Sequence, residues 1–153
     1  MVAESDSHPA SKLLRRVPTL GAVRVAQLIS VVATPHRFRT KRQFWSYCGL
    51  AVRTHSSADY RFEGSGLRRV TKKAATRGLG RDHNRTLKNV FKGAALTASR
   101  VEPFRSGYGE LVSRGLRPEL ARVTIARRIA ALTLSVWKSG EAFDESRLNE
   151  QAA

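Results

Sequence analysis

The stretch that most constrains the fold covers residues 13–50, LLRRVPTLGAVRVAQLISVVATPHRFRTKRQFWSYCGL. Its apolar residues recur at helical spacing, but Pro18-Thr19-Leu20-Gly21 interrupts them, and Pro35 interrupts them again. A proline removes a backbone donor and clashes with the turn before it, so each one ends a helix. The pattern predicts a short helix over residues 12–17, a turn permitted by Gly21, and a second helix over residues 22–33. That second helix places Val25, Leu28, Ile29 and Val32 on one face. Thr40 is then an N-cap for a helix over residues 41–48, closed by Gly49. Phe44, Tyr47 and Cys48 point inward on this helix while Lys41 and Arg42 stay in solvent. Helix, tight turn and helix make a hairpin whose backbone N–H groups can meet a phosphate.

The flanking sequence is read in the same way. Residues 1–11 (MVAESDSHPAS) are polar and predict a disordered leader. From residue 51 to residue 80 apolar periodicity disappears, which predicts one long irregular basic loop, strand-like only at Tyr60-Arg61-Phe62. Asp82 is a cap for a helix over residues 83–99 with Leu87, Val90, Phe91, Ala94, Ala95 and Ala98 on its apolar face. Arg85, Lys88, Lys92 and Arg100 mark the opposite face. Pro103 breaks it, a weaker helix over residues 107–113 ends at Gly115, and Pro118 opens a long helix to Ser139 with Gly140 as its cap. That helix is apolar on two sides, so it should be largely enclosed, with Trp137 buried. The fold class expected is all-α: a helix-hairpin-helix followed by further packed helices, forming one domain over residues 12–148.

Charge narrows the partner. Lys and Arg number 28 against 12 Asp and Glu, a formal net charge of +16. Such a surplus repels itself unless a polyanion lies against it, so nucleic acid is the expected partner. Charge alone does not separate DNA from a ribosomal type of RNA binding. Cys48 is the single cysteine, and His8, His36, His55 and His83 lack metal-ligand spacing. No apolar run reaches membrane-spanning length, and no signal pattern opens the chain, so no membrane partner and a cytoplasmic setting are expected.

The order of these pieces resembles the C-terminal transposase domain of the bridge-RNA-guided insertion-sequence recombinases, the DEDD/serine transposase family. The pieces are Pro18-Thr19-Leu20-Gly21, Arg37-Phe38, Arg42-Gln43-Phe44, Gly49-Leu50, a loop at Ser56-Ser57, and a Gly turn before Arg85-Thr86-Leu87-Lys88. The closing Leu134 to Gly140 stretch with Phe143-Asp144 also fits. The resemblance spans about residues 13–148. It implies a DNA-binding, serine-bearing domain acting in DNA transposition, with Ser57 as nucleophile and Ser56 as the alternative. It implies nucleic-acid contacts at Thr19, Gly21, Arg37, Arg42, Arg53, Arg68, Arg69, Lys72, Lys73, Arg85 and Lys88.

In that family Mg²⁺ belongs to an N-terminal RuvC-like nuclease domain. Asp6, Asp59, Asp82 and Asp144 are too dispersed here to replace its carboxylates. No cofactor is therefore expected in this chain, which reads as a separated or truncated C-terminal half, inactive alone. Mg²⁺ is expected only from a partner nuclease domain in trans. Guide RNA and a second copy of the chain are further partners the resemblance allows. Thr19 stands where the family has a turn glycine, and Ala58 where it has glycine after the serine. The other reading left by the residues is a non-catalytic helix-hairpin-helix binder of DNA or RNA.

Overall fold

The computed structural model describes residues 2–55, 60–64, 66–69, 75–146 and 148. Seven α-helices occur among them: α1 (Val2–Asp6), α2 (Pro9–Leu14), α3 (Ala22–Val32), α4 (Lys41–Tyr47), α5 (Arg85–Ala98), α6 (Phe104–Ser113) and α7 (Pro118–Ser139). A 3-10 turn (Pro35–Arg37) links α3 to α4. Four strands lie between α4 and α5: β1 (Val52–His55), β2 (Tyr60–Glu63), β3 (Gly66–Arg69) and β4 (Ala75–Leu79). The fold is thus mostly helical, as expected, with a small β component that was expected only at Tyr60-Arg61-Phe62.

The 22 residues of α7 form the spine, a rod about 33 Å long at 1.5 Å per residue. α5, α4, α6 and α2 all pack on it. Ile125, Ile129 and Leu132 of α7, Leu87 and Phe91 of α5, Phe44 of α4 and Leu14 of α2 are fully enclosed. Each such side chain contributes about 1.5–3 kcal/mol by leaving water. Phe91 meets Phe44 edge-on with ring centroids 5.7 Å apart, and Phe44 in turn packs on Phe38 at 4.9 Å. Aromatic pairs of this geometry add to simple burial. The first turns of α7 differ from the rest: Leu120 is 55 % exposed, so the enclosure expected for the whole helix holds only for its later turns. Among the described residues no helix is long and apolar enough to cross a membrane.

Residues 1–11, expected as a disordered leader, are helical from residue 2. His8 caps α2, its Nδ1 accepting from the Ala10 N–H at 3.1 Å, and Pro9 occupies the first turn. The buried positions of this region include Ser5 and Ser11 as well as Ala10. Polar residues on the inner face hide the periodicity that would have marked these helices. α1 packs on α3, and the His8 ring stands perpendicular to Trp137 at 6.3 Å.

The segment expected as an irregular loop is a β arm. β1 pairs antiparallel with β4, and β2 with β3, in the register Phe62↔Leu67 and Arg61↔Arg68. Only β2, with Tyr60 and Phe62, shows the alternation of a strand; β1, β3 and β4 are revealed by backbone pairing. Two helix starts also move. Asn84, not Asp82, caps α5, its Oδ1 accepting from the Leu87 N–H at 3.0 Å. The Asn84 N–H donates to the Tyr47 carbonyl at 2.9 Å, and this tertiary bond sets where α5 begins. α6 starts at Phe104, which is buried, three residues before the expected start.

Candidate nucleic-acid interface

The hairpin turn is held by an unusual backbone. Thr19 has φ +72°, whereas Gly21 is extended at φ −74° and ψ 173° as the N-cap of α3. The expectation that Gly21 supplies the turn's freedom is therefore corrected: the left-handed position is Thr19. A β-branched residue there costs about 1–2 kcal/mol, which a glycine would not incur. Two contacts hold the strained turn. Leu20 donates its N–H to the Val17 carbonyl at 3.2 Å, and Arg24 Nη1 donates to the Thr19 carbonyl at 2.8 Å. Gly21 gives α3 no side-chain cap, so the first-turn N–H groups of α3 end in a shallow depression lined by Gly21, Ala22, Val23, Arg24 and Gln27. Unpaired N–H groups at a helix start favour an anion.

Arg24 is a residue that sequence reading missed. It joins the turn to α5, since a Cβ built on Gly93 would come within 3.3 Å of its guanidinium. The available signal was small: a cation one turn into α3, opposite a glycine in an otherwise well-filled helix.

Arg37 lies at the other end of α3, not beside the turn. The two are separated by the 11 residues of α3, about 16 Å. Arg37 Nη1 donates to the Val32 carbonyl at 3.3 Å, and its guanidinium lies 5.5 Å from the Tyr47 ring centre and 5.8 Å from that of Phe38. Across a groove from it stand Asp82, His83 and Asn84, leading directly into Arg85 and Lys88 of α5. The structure therefore brings Arg37 together with the start of α5, while Arg42 points to solvent from α4. Gly49 is essential to this groove. It adopts φ +68°, and a Cβ there would lie 2.5 Å from His83 Cγ.

The same corner carries the base of the arm. Gly80 donates its N–H to the Ala51 carbonyl at 3.0 Å, which closes the arm at its root. Arg127 of α7 donates its Nε to the Leu50 carbonyl at 2.6 Å, and its own carbonyl accepts from Trp45 Nε1 at 2.9 Å. Burial lowers the Arg127 guanidinium from its ordinary value. Lys138 Nζ donates to the Phe38 carbonyl nearby. Two cations from α7 thus fix the chain on both sides of α4 by holding backbone oxygens.

Arg53 and Arg68 are exposed on the arm, and Arg69 stands opposite Tyr60 in β3. Ser56, Ser57, Lys72 and Lys73 lie outside the described residues. Cys48 is fully buried, and burial pushes its thiol well above the usual thiol range, which makes it a core residue rather than a nucleophile. Among the described residues no three His, Cys, Asp or Glu converge as a metal would require.

The hairpin, α3, α4 and the arm form one continuous run, and residues 11–75 of it match the model of the transposase family IS116/IS110/IS902. That segment is similar to the transposase domain of this family. A protein of Sinorhizobium fredii (strain NBRC 101917 / NGR234), y4pF/y4sB, named as a transposase, is 26% identical over 147 residues. These cover 94% of the present chain and 35% of that relative, so the chain spans about a third of its length. The family match includes the last residues of α2, the strained turn, Arg37, Arg42 and most of the arm. The matched segment thus holds the hairpin turn and the first three strands of the arm, while α5 to α7 lie outside it.

Proposed function

We propose that this transposase domain binds DNA and takes part in DNA transposition as the serine-bearing half of the reaction. The observation that carries the reading is the matched segment itself, which joins an uncapped helix start, the Arg37 groove and a basic arm on a chain of +16. Thr19, Gly21 and the first turn of α3 receive one phosphate. Arg37 and Arg85 flank a second, and Arg42, Arg53, Arg68 and Lys88 extend the positive track. Such contacts hold the backbone and do not read base edges. If about five phosphates are neutralised, affinity for duplex DNA should fall by roughly two to three decades between about 50 and 200 mM salt. A titration by fluorescence anisotropy measures this, and a flat salt response would defeat the electrostatic argument.

Ser57 is the proposed nucleophile, with Ser56 as the alternative. Its Oγ would form an ester to a DNA phosphate while the cleaved strand leaves with a free sugar hydroxyl, the neighbouring arginines opposing the developing charge. The described carboxylates do not fit Mg²⁺, because Asp6 is engaged by Arg15 and Asp82 and Asp144 stand on separate segments. Any Mg²⁺ is assigned to a partner RuvC-like nuclease domain in trans. Alone, the chain should leave DNA uncut. Complemented with such a domain, guide RNA and DNA, it should form a covalent adduct seen as a shifted band under denaturing conditions. Ser57→Ala should abolish the adduct and retain binding. Loss in Ser56→Ala alone would move the assignment by one residue, and no adduct in the complemented wild type would leave a binding domain without chemistry.

A further inference from the structure

The arm carries a feature that phosphate binding leaves unused. Phe62 and Leu67 stand opposite each other in the β2–β3 hairpin and are 77 % and 58 % exposed. Side chains alternate between the faces of a strand, so this apolar pair shares one face while Arg68 belongs to the other. The hairpin is narrow at its tip: Gly64 has φ +64°, and neither Gly64 nor Gly66 has an atom within 4 Å of where a Cβ would be. An aromatic ring with a leucine beside it, at the end of a slim ribbon, is poorly placed for core packing and well placed to be inserted.

We infer that this hairpin is a base-stacking finger, with Phe62 packing against an unpaired base of a DNA substrate, Leu67 supporting the same base and Arg68 meeting a flanking phosphate. Charge selects the occupant. The four strands contain Arg53, Arg61, Arg68, Arg69 and Arg77 against Glu63. Seating the apolar pair on a second copy would bring these arginines against another chain of +16, and the repulsion would oppose it. A strand with exposed bases offers both a flat apolar face for Phe62 and anions for the arginines, a pairing typical of single-strand recognition. An aromatic wedge can also hold a base step open in distorted duplex.

The inference rests on the DNA-binding reading above, and one experiment separates the two. The full chain is titrated with a duplex carrying a single-base bulge, 2-aminopurine at the bulge, and with the same duplex fully paired. The wild type should bind the bulged duplex more tightly and quench the 2-aminopurine. Phe62→Ala should weaken bulge binding about tenfold and lose the quench, while leaving the paired duplex unaffected. Leu67→Ala should act in the same direction, and Phe62→Trp should retain both properties. Circular dichroism checks that each variant is folded, which the exposure of both side chains favours. Equal losses on both duplexes, or none on either, would overturn the finger and leave the DNA-binding reading intact. Absence of binding to both duplexes by the wild type would overturn both. If Phe62→Ala instead abolished self-association in sedimentation, the pair would belong to a second copy and the finger would be wrong.

Discussion

Trp137→Ala should lower the stability of this domain by about 3–5 kcal/mol, read as a fall of about 10 °C in the thermal midpoint. Trp137 is 9 % exposed near the end of α7, and its ring is met edge-on by His8. Truncation to Ala removes a large apolar surface and opens a cavity that Val136, Leu132 and Thr133 cannot fill, because they are already enclosed in the core. The loss should also loosen α2, which packs on α7, and through it α1, which packs on α2 and α3. Amide exchange would show this as lost protection over residues 2–14. A variant that melts like the parent would mean that these helices do not depend on α7.

Gly49→Ala should cost about 3 kcal/mol, from two independent causes. The left-handed φ of +68° strains any residue with a Cβ, about 1 kcal/mol or somewhat more. Overpacking adds a further 1–3 kcal/mol or so, because the new methyl would lie 2.5 Å from His83 Cγ and 3.0 Å from His83 Cβ. Rotation about the His83 Cα–Cβ bond can move the ring but not Cβ, and the ring can turn only by leaving its place in the groove. The cycle with His83→Ala divides the two causes. Removing the ring should recover the crowding part and leave the backbone part, so the double variant should be more stable than the sum of the singles predicts. Additive losses would mean that His83 and residue 49 are not in contact. Displacement of His83 should also disturb the groove below Arg37, lowering DNA affinity beyond what the unfolded fraction explains.

The core of the fold was legible because it is built from amphipathic helices with ordinary punctuation. Val25, Leu28, Ile29 and Val32 on α3, and Leu87, Val90 and Phe91 on α5, are buried where their spacing placed them. Thr40 caps α4, accepting from the Gln43 N–H, and Gly49 follows in the left-handed region. In these segments a local pattern and a tertiary contact ask for the same residue, and the linear order is enough. The same order of residues also carried the family relationship that the match over residues 11–75 supports.

Elsewhere the chain's own pattern was silent or pointed one way while packing went another. α1 and α2 pack with Ser5 and Ser11 inward, so no apolar stripe announced them. Most pairs of the β arm involve polar or charged residues, its apolar pairs Val52↔Leu79 and Phe62↔Leu67 are isolated, and Val52 and Leu79 are far apart in sequence. The start of α5 depended on the bond from Asn84 to Tyr47, which no local rule can see. Of the proposed interface, the cations were readable one by one from charge. Which of them share a surface was set by α3, whose length holds the Thr19 turn and Arg37 apart, and by α5, whose start faces Arg37 across a groove. Residue types and periodicity thus determined most of the helices and the surplus of positive charge. Only the tertiary structure decided where the left-handed strain falls, which cations meet, and that Phe62 stands outside the core, because each of these depends on contacts between distant parts of the chain.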